Sequence, residues 1–537
     1  MKIRNMLIAS GVVLTCSGAW SAAVAESPQL LELVRAKNFT MGATTNFDRA
    51  QYDVTTPEGR NKLKVDIQTL LLIGKNQAED APNRMGGDLK KGLKFALQVL
   101  EQMETATPEQ MGFLNWQLFS VTEAINNNYR PNLRTKAHLY EIPGLIKASR
   151  ESILGNYPLK SPAAGENPLA TPETSTIWND PQDIASKDLR IGFNRKKLPD
   201  YSHTLFTYLE PKTGYGTHAG FRVANEDGDE FKIRIGTETS VGPFSSRIVW
   251  ALGYNTIQID HLPVLKLKYD RRLLKEYNLR TPARLKLKAG TLDLYTFSNQ
   301  QYRDPFQDIA AVTLNNGTRV KGADLKKQLL KSLDAKAELT DSLYDEAFER
   351  QIQTVEFHKV SIEKISKKRH SVGPWDWSLK EHTQIPVLRA YGFLAAWLGQ
   401  YDARTENTRV TLVETGKNSF QLEHTISDVG SGLGEAAGLR HFSPHNPDAF
   451  TYHFIERVKS WNGFSKIQSV NYRTIVPNKT FEAMNEEDAK WMLHLMTQLT
   501  PQQIRDALEV SGFTPKEADI LLRKLIVRRN HAMALLK

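Results

Sequence analysis

The chain is almost without cysteine. Of its 537 residues one is a cysteine, Cys16, and it falls in a stretch that reads as a removable leader. A mature chain then has no thiol, which excludes disulfides, cysteine-ligated zinc and a cysteine nucleophile. Long apolar runs are missing as well. Beyond the leader no segment has the roughly 18 consecutive apolar residues of a membrane span, so no transmembrane segment is expected after leader cleavage. There is no Gly-x-Ser-x-Gly elbow, which weakens a serine-hydrolase reading. Internal repeats are absent.

Charge of neither sign dominates. Seventy Lys and Arg against sixty Asp and Glu give a net charge of +10, and Lys2 and Arg4 leave with the leader. This is modest for such a length. A scattered solvated surface accounts for it, and no nucleic-acid partner is expected. With 40% apolar and 24% charged residues the chain is globular, and its length asks for about two or three domains.

What is present begins with that leader. "MKIRN" is a basic n-region and "MLIASGVVLTCSGAW" a short apolar h-region. "AAVA" before Glu26 fits a small-residue cleavage site. Residues 1–25 are therefore expected to be a signal peptide, and the mature protein to be periplasmic or secreted.

Residues 26–156 read as a helical module. In it, "TPEQ" at 107–110 offers a Thr cap, Pro at the first helical position and Gln at the third. Residues 157–189 are rich in Pro, Ala, Ser and Thr and suit a linker or covering arm. From 190 the pattern turns to short strands. In "GFRVANEDGDEFKIRIG" Asp227-Gly228 supplies a hairpin turn, and Phe231, Ile233 and Ile235 alternate with Glu230, Lys232 and Arg234. "GPFSSRIVWALG" predicts a helix with Gly253 as its C-terminal stop. Residues 382–398 predict an amphipathic helix with Val387, Tyr391, Leu394 and Leu398 on one face. A second hairpin follows around Gly416-Lys417-Asn418. The tail 484–537 is helical, with capping boxes at "TPQQ" and "TPKE".

One constellation carries chemistry. Directly after the 382–398 helix stands "GQYDARTENT", with Asp402 and Asn407 five apart. The second hairpin comes next and runs into "SDVGSGLG", with Asp428. Phosphoryl transfer gathers negative charge, so it needs hard oxygen ligands to fix a cation beside the phosphates and an acid to orient the acceptor. A hairpin between Asn407 and Asp428 can return the two to one point. Upstream, Gly214, Gly216 and Gly220 precede the first hairpin, where glycine lets backbone N–H groups approach phosphate. Lys232 and Arg234 share one strand face, from which either could reach the phosphates. The alternative reading is plainer: Asp402 and Asn407 cap turns, and Asp428 ends a strand.

Other patterns are weaker. "GSGLGEAAG" lacks the βαβ context of a dinucleotide loop. His441, His445 and Asp448 lie in a loop-like segment, where surface or hydrogen-bonded histidines are the expected reading rather than metal ligands.

Taken together, "GTHAGFRV", "KIRIG", "SRIVWALGY", "YDARTENT" and "ISDVGSGLG" resemble a group of bacterial proteins with an atypical protein-kinase-like fold. That group is distantly similar to secreted spore-coat-protein kinases and to lipid and toxin-type kinases. The resemblance covers about residues 190–530. It implies a two-lobed protein-kinase-like domain over 190–483 with a helical C-terminal extension over 484–537; the helical N-terminal module lies outside it, and the expected architecture is α+β. The resemblance further implies that Asp402 is the catalytic aspartate that orients or deprotonates the acceptor hydroxyl, that Asn407 and Asp428 hold Mg²⁺, and that ATP or another nucleotide is the donor to a protein, lipid or glycan acceptor. Two positions depart from the group. Arg234 stands where it carries the nucleotide-binding Lys, for which Lys232 could substitute. Gly242 stands where an acid is expected to pair with that Lys, and Glu238 is the nearest acid. These departures leave two expectations open: an exported Mg²⁺-dependent phosphotransferase, or a catalytically inactive pseudokinase-type binding or scaffold protein.

Overall fold

The computed structural model describes residues 52–75, 86–128, 172–211, 220–272, 308–329, 345–417, 419–436, 444–459 and 465–536. The expected signal peptide, Gly214, Gly216 and His441 lie outside them. In chain order the helices used below are α1 (Pro57–Lys75), α2 (Gly87–Met103), α3 (Pro108–Asn128), α4 (Val241–Ala251), α5 (Gly322–Leu329), α6 (Pro386–Leu398), α7 (Glu486–Thr497), α8 (Pro501–Val510) and α9 (Pro515–Leu536). The strands are β1 (Leu205–Pro211), β2 (Gly220–Ala224), β3 (Glu230–Ile235), β4 (Asp260–Lys268), β5 (Ile309–Leu314), β6 (Arg319–Lys321), β7 (Ile352–Lys364), β8 (Arg369–Gly373), β9 (Thr408–Gly416), β10 (Ser419–Ile426), β11 (Ile455–Lys459) and β12 (Ser465–Ser469). The fold is mixed α+β. No described helix is long and apolar enough to cross a membrane.

The chain divides into two compact units. One gathers α1, α2 and α3 with β8, β9 and most of β10. Its sheet has the order β10-β9-β8. Here α2 comes so close to the sheet that a Cβ on Gly92 would stand 2.7 Å from a Val372 methyl. Asn127 at the end of α3 donates to the Pro374 carbonyl at 3.0 Å. The second hairpin is thus a part of the unit that holds the N-terminal helices.

The other unit carries a sheet ordered β3-β2-β1-β4-β7-β5-β6, in which β3 also pairs with β7. That extra pairing closes β3, β2, β1, β4 and β7 into a barrel. The hairpin expected at Asp227-Gly228 is there, and Gly228 has φ +73, the left-handed geometry a tight turn needs. Phe231, Ile233 and Ile235 point into the barrel core with Phe221, Leu265 and Phe357. Strand β7 is the hinge of the closure. It runs beside β5 as far as Phe357 and beside β3 from Val360. Lys359, between them, has φ +41. A left-handed residue at this point bends the strand from one partner to the next, as a bulge does.

Helices complete this unit. Leu252 caps α4 and Gly253 follows with φ +94. Pro386 opens α6 at its first turn. The one-sided apolar stripe expected for α6 is not what forms: every residue from Val387 to Leu398 is buried. Arg389 is the polar exception in sequence, and its guanidinium pairs with the Asp488 carboxylate at 2.7 and 3.0 Å. A helix surrounded by protein has no solvent face to keep polar. The Thr500–Gln503 capping box opens α8. Thr514 and Glu517 exchange the corresponding bonds ahead of α9.

Candidate functional site

Two loops of the barrel unit are stitched to each other, and the candidate residues lie on the stitches. The first leaves α6 through Gly399, whose φ of +68 ends the helix. The second is the turn from Ser427 to Leu433. The backbone carbonyl of Asn407 accepts from the N–H groups of Ser427 at 2.9 Å and Asp428 at 3.2 Å. The Asn407 Nδ2 donates to the Asp402 carbonyl at 2.6 Å. The Asp402 N–H donates to Ser431 Oγ at 3.0 Å, and the Leu433 N–H to the Leu398 carbonyl at 2.9 Å. Gln400, almost wholly buried, sits between: its Nε2 donates to the Asp428 carbonyl at 3.4 Å, and its Oε1 accepts from Tyr391 at 2.6 Å. The loop segments that carry Asp402, Asn407 and Asp428 are thus joined, Asn407 to Asp428 through the backbone and Asn407 to Asp402 through its side-chain amide.

Glycines make the approach close. A Cβ on Gly432 would stand 2.7 Å from the Leu398 carbonyl oxygen. A Cβ on Gly430 would meet Glu238 Oε2 at 3.4 Å and Asp428 Oδ1 at 3.6 Å, so both carboxylates flank Gly430. The Gly430 N–H donates to Asp428 Oδ1 at 3.4 Å. Gly242, where an acid was expected, instead places α4 against Gly430, a Cβ there lying 3.9 Å from the Gly430 Cα. Glu238 comes from the one-turn 3₁₀ helix Thr237–Thr239 just ahead of α4.

Two guanidiniums, Arg234 and Arg404, face the three carboxylates Glu238, Asp402 and Asp428. Arg234 of β3 donates through Nη1 to Asp428 Oδ1 at 2.9 Å, with the side chains 22% and 27% exposed. Asp428, then Glu363 and Glu238, hold the Arg234 guanidinium charged more firmly than usual, against the opposing effect of burial. Arg404 pairs with Asp402 and donates through Nη2 to Oδ2 at 3.0 Å. Burial nevertheless pushes the Asp402 carboxyl above its ordinary range; Arg404 opposes the shift, and the charges of Asp428 and Glu238 add to it. The Tyr401 phenol is pushed up by burial and by the same three carboxylates, Glu238, Asp402 and Asp428.

Lys232 does not share this role. Its ammonium pairs with Glu363 at 2.8 Å and is half exposed, although it shares a strand face with Arg234. Cross-strand register sets the difference, since Lys232 lies opposite Glu363 on β7. The phosphate-approach candidates Gly214 and Gly216 fall outside the described residues. His445 pairs with Glu517 at 3.2 Å, and the carbonyl of Asp448 accepts from Lys524 at 3.0 Å. Sequence reasoning passed over Arg404, Gln400, Ser431 and Tyr401. Gln400, Tyr401 and Arg404 stand inside the loop it singled out, but nothing in their spacing marks them.

A cation at this site would be held sparsely. Among the described residues no group of three or more His, Cys, Asp or Glu side chains is placed to hold a metal. The donors that remain are hard oxygens, the Asp428 carboxylate and the Asn407 amide oxygen. The Asn407 Nδ2 is committed to the loop, which leaves Oδ1 as that residue's donor. Such a set fits Mg²⁺ shared with phosphate oxygens and water, and does not fit an all-protein cage. Comparison of the chain with family models, with curated proteins and with solved structures returns no match.

Proposed function

We propose that the chain is an exported phosphotransferase with an atypical protein-kinase-like site, which moves a nucleotide phosphoryl group to an acceptor hydroxyl. The observation that carries this reading is the stitched pair of loops, which joins Asp402, Asn407 and Asp428 beside the Arg234 cation. Export rests on the leader-like first 25 residues.

The roles follow from the chemistry of each group. The acceptor hydroxyl oxygen forms a bond to the terminal phosphorus, and the bond from that phosphorus to the bridging oxygen breaks. The nucleotide leaves one phosphate shorter. Asp402 orients the hydroxyl and takes its proton. The upward shift of its carboxyl suits proton transfer better than an ordinary surface aspartate would. Asn407 Oδ1 and Asp428 would hold Mg²⁺, which supplies charge neutralisation at the phosphates. Arg234 offers a planar fork to phosphate oxygens. Binding of such an anion competes with Asp428 for that guanidinium.

A second reading, phosphate-ligand binding without transfer, is favoured by one observation: the Arg234–Asp428 pair already satisfies the carboxylate that would hold the cation. Calorimetry of the mature protein with ATP and Mg²⁺, followed by detection of released or transferred γ-phosphate, separates the two. Mg²⁺-dependent binding with phosphate turnover that Asp402→Ala removes supports transfer. Binding without turnover supports the second reading. No nucleotide binding at millimolar concentration refutes both.

A further inference from the structure

We propose that residues 176–195 form a positioning strap for α4, which sets where Glu238 and Gly242 stand beside Asp428. The proposal rests on the reading of that cluster as a ligand site.

The strap grips α4 at its C-terminal end. Trp178 Nε1 donates to the Leu252 carbonyl at 2.6 Å, and the Asn179 N–H donates to the Gly253 carbonyl at 2.9 Å. These carbonyls have no partner within the helix, so the strap supplies the missing donors. The Asn255 N–H returns a bond to the Ile177 carbonyl at 3.2 Å.

It also grips the middle of the helix. Gly192, Phe193 and Asn194 have φ of +69, +52 and +55. Three successive left-handed residues are unfavourable for an L-chain, and two of these are not glycine. What the geometry achieves is the placement of Phe193 and Arg195. The Phe193 ring lies 5.6 Å from the Trp250 ring of α4, with the Arg247 guanidinium 5.8 Å from its centroid. Arg195 forks onto Asp260 at 2.7 and 3.0 Å. Arg247, with no solvent exposure, donates to the same carboxylate at 2.7 Å. One carboxylate thus holds one guanidinium from the strap and one from the helix. Removing the strap's half leaves the helix's buried cation less well satisfied.

The far side of the strap is fixed to α8. Gln503 Nε2 donates to the Ile184 and Lys187 carbonyls at 2.8 and 2.7 Å, and Arg190 pairs with Glu509 at 2.7 Å. So α4 is anchored through the strap to the C-terminal helices. Its other end reaches the site, where Gly242 abuts Gly430 and the preceding turn carries Glu238.

The test uses the full mature chain, read by hydrogen exchange and by Mg²⁺–ATP affinity. Trp178→Phe keeps an aromatic ring and removes one donor. Phe193→Ala with Arg195→Met removes the central grip. Both are expected to speed exchange at residues 237–252 while the strands of the barrel stay protected, and to weaken Mg²⁺–ATP binding by about tenfold. Unchanged exchange at 237–252 in a folded variant overturns the proposal, whatever the affinity does. If the double variant does not fold, Trp178→Phe decides alone. If wild-type protein binds no nucleotide, the site reading fails, while the exchange result still upholds or overturns the strap.

Discussion

Arg234 Nη1 stands 2.9 Å from Asp428 Oδ1, and joins the third barrel strand to the turn that follows the second hairpin. Both side chains are mostly buried, so removing one partner leaves the other poorly solvated. Arg234→Met and Asp428→Asn are each expected to lower stability by about 1–3 kcal/mol, below the cost of breaking a fully buried pair. The double variant is expected to recover part of that loss, because it leaves no unpaired charge. Urea unfolding of the four proteins in a double-mutant cycle measures the coupling. Strict additivity would show that the pair contributes nothing.

The Asp402 carboxyl should titrate above its ordinary value of 3.8, because burial and the charges of Glu238 and Asp428 outweigh Arg404. Carbon-13 NMR of labelled aspartate reads this directly. Arg404→Gln is expected to move the midpoint further up, since it deletes the opposing cation. Glu238→Gln is expected to move it down. The linkage has a definite sign. With the folded value raised, the folded state binds more protons than the unfolded state between the two midpoints, so this group lowers stability as pH rises through that window. A midpoint at or below 3.8 contradicts the site's electrostatics.

Gly432→Ala tests the stitching of the loops. The added methyl would stand 2.7 Å from the Leu398 carbonyl oxygen, a backbone atom that cannot swing aside. The loops must part, and the Leu433 N–H bond to that oxygen is the first to lengthen. The expected cost is about 1–3 kcal/mol, as for overpacking elsewhere. Faster exchange of the Leu433 amide should accompany it. Wild-type stability in the variant would mean that the two loops move apart freely.

The parts of this architecture legible in sequence were the local ones. The Asp227-Gly228 turn and the alternation after it define β2 and β3, and the Thr500–Gln503 signature defines the start of α8. Both depend on neighbours along the chain. The closure of the barrel depends on β3 meeting β7 some 130 residues later, and no periodicity announces that. The burial of α6 on all sides was hidden for a related reason: its pattern reports which residues are apolar, not how many partners surround them. At the site, the order of Asp402, Asn407 and Asp428 was readable from spacing. Which cation faces them was not, because register, rather than face, separates Arg234 from Lys232.

Asp260 makes the barrel unit sensitive to acid. Burial acts to raise its carboxyl, but the guanidiniums of Arg195 and Arg247 outweigh it and hold it below 3.8. A depressed folded value means that the unfolded state binds more protons. The stabilisation is present above the unfolded midpoint and is lost as pH falls through the folded one. Asp260→Asn is therefore expected to be less stable than wild type at pH 7, with the gap narrowing towards acid. A gap that stays constant with pH would remove this carboxylate from the account.

Lys232 and Arg234 leave the same strand face but should behave as different residues. Lys232 is half exposed and tied to Glu363, so Lys232→Ala is expected to cost at most about 1 kcal/mol of stability, the range of exposed pairs. It should leave Mg²⁺–ATP affinity unchanged. Arg234 faces Asp428, and Arg234→Met should weaken that affinity by about tenfold or more, an order consistent with losing a charged hydrogen bond. Arg234→Lys is the sharper probe. An ammonium keeps the charge and loses the planar fork, so charge alone predicts near-wild-type binding, while fork geometry predicts a loss approaching that of Arg234→Met. Titration calorimetry on the three variants ranks them. If Lys232→Ala weakens binding as much as Arg234→Met, the assignment of the phosphate-facing cation is wrong, and the approach to the site runs along the Glu363 side of the barrel.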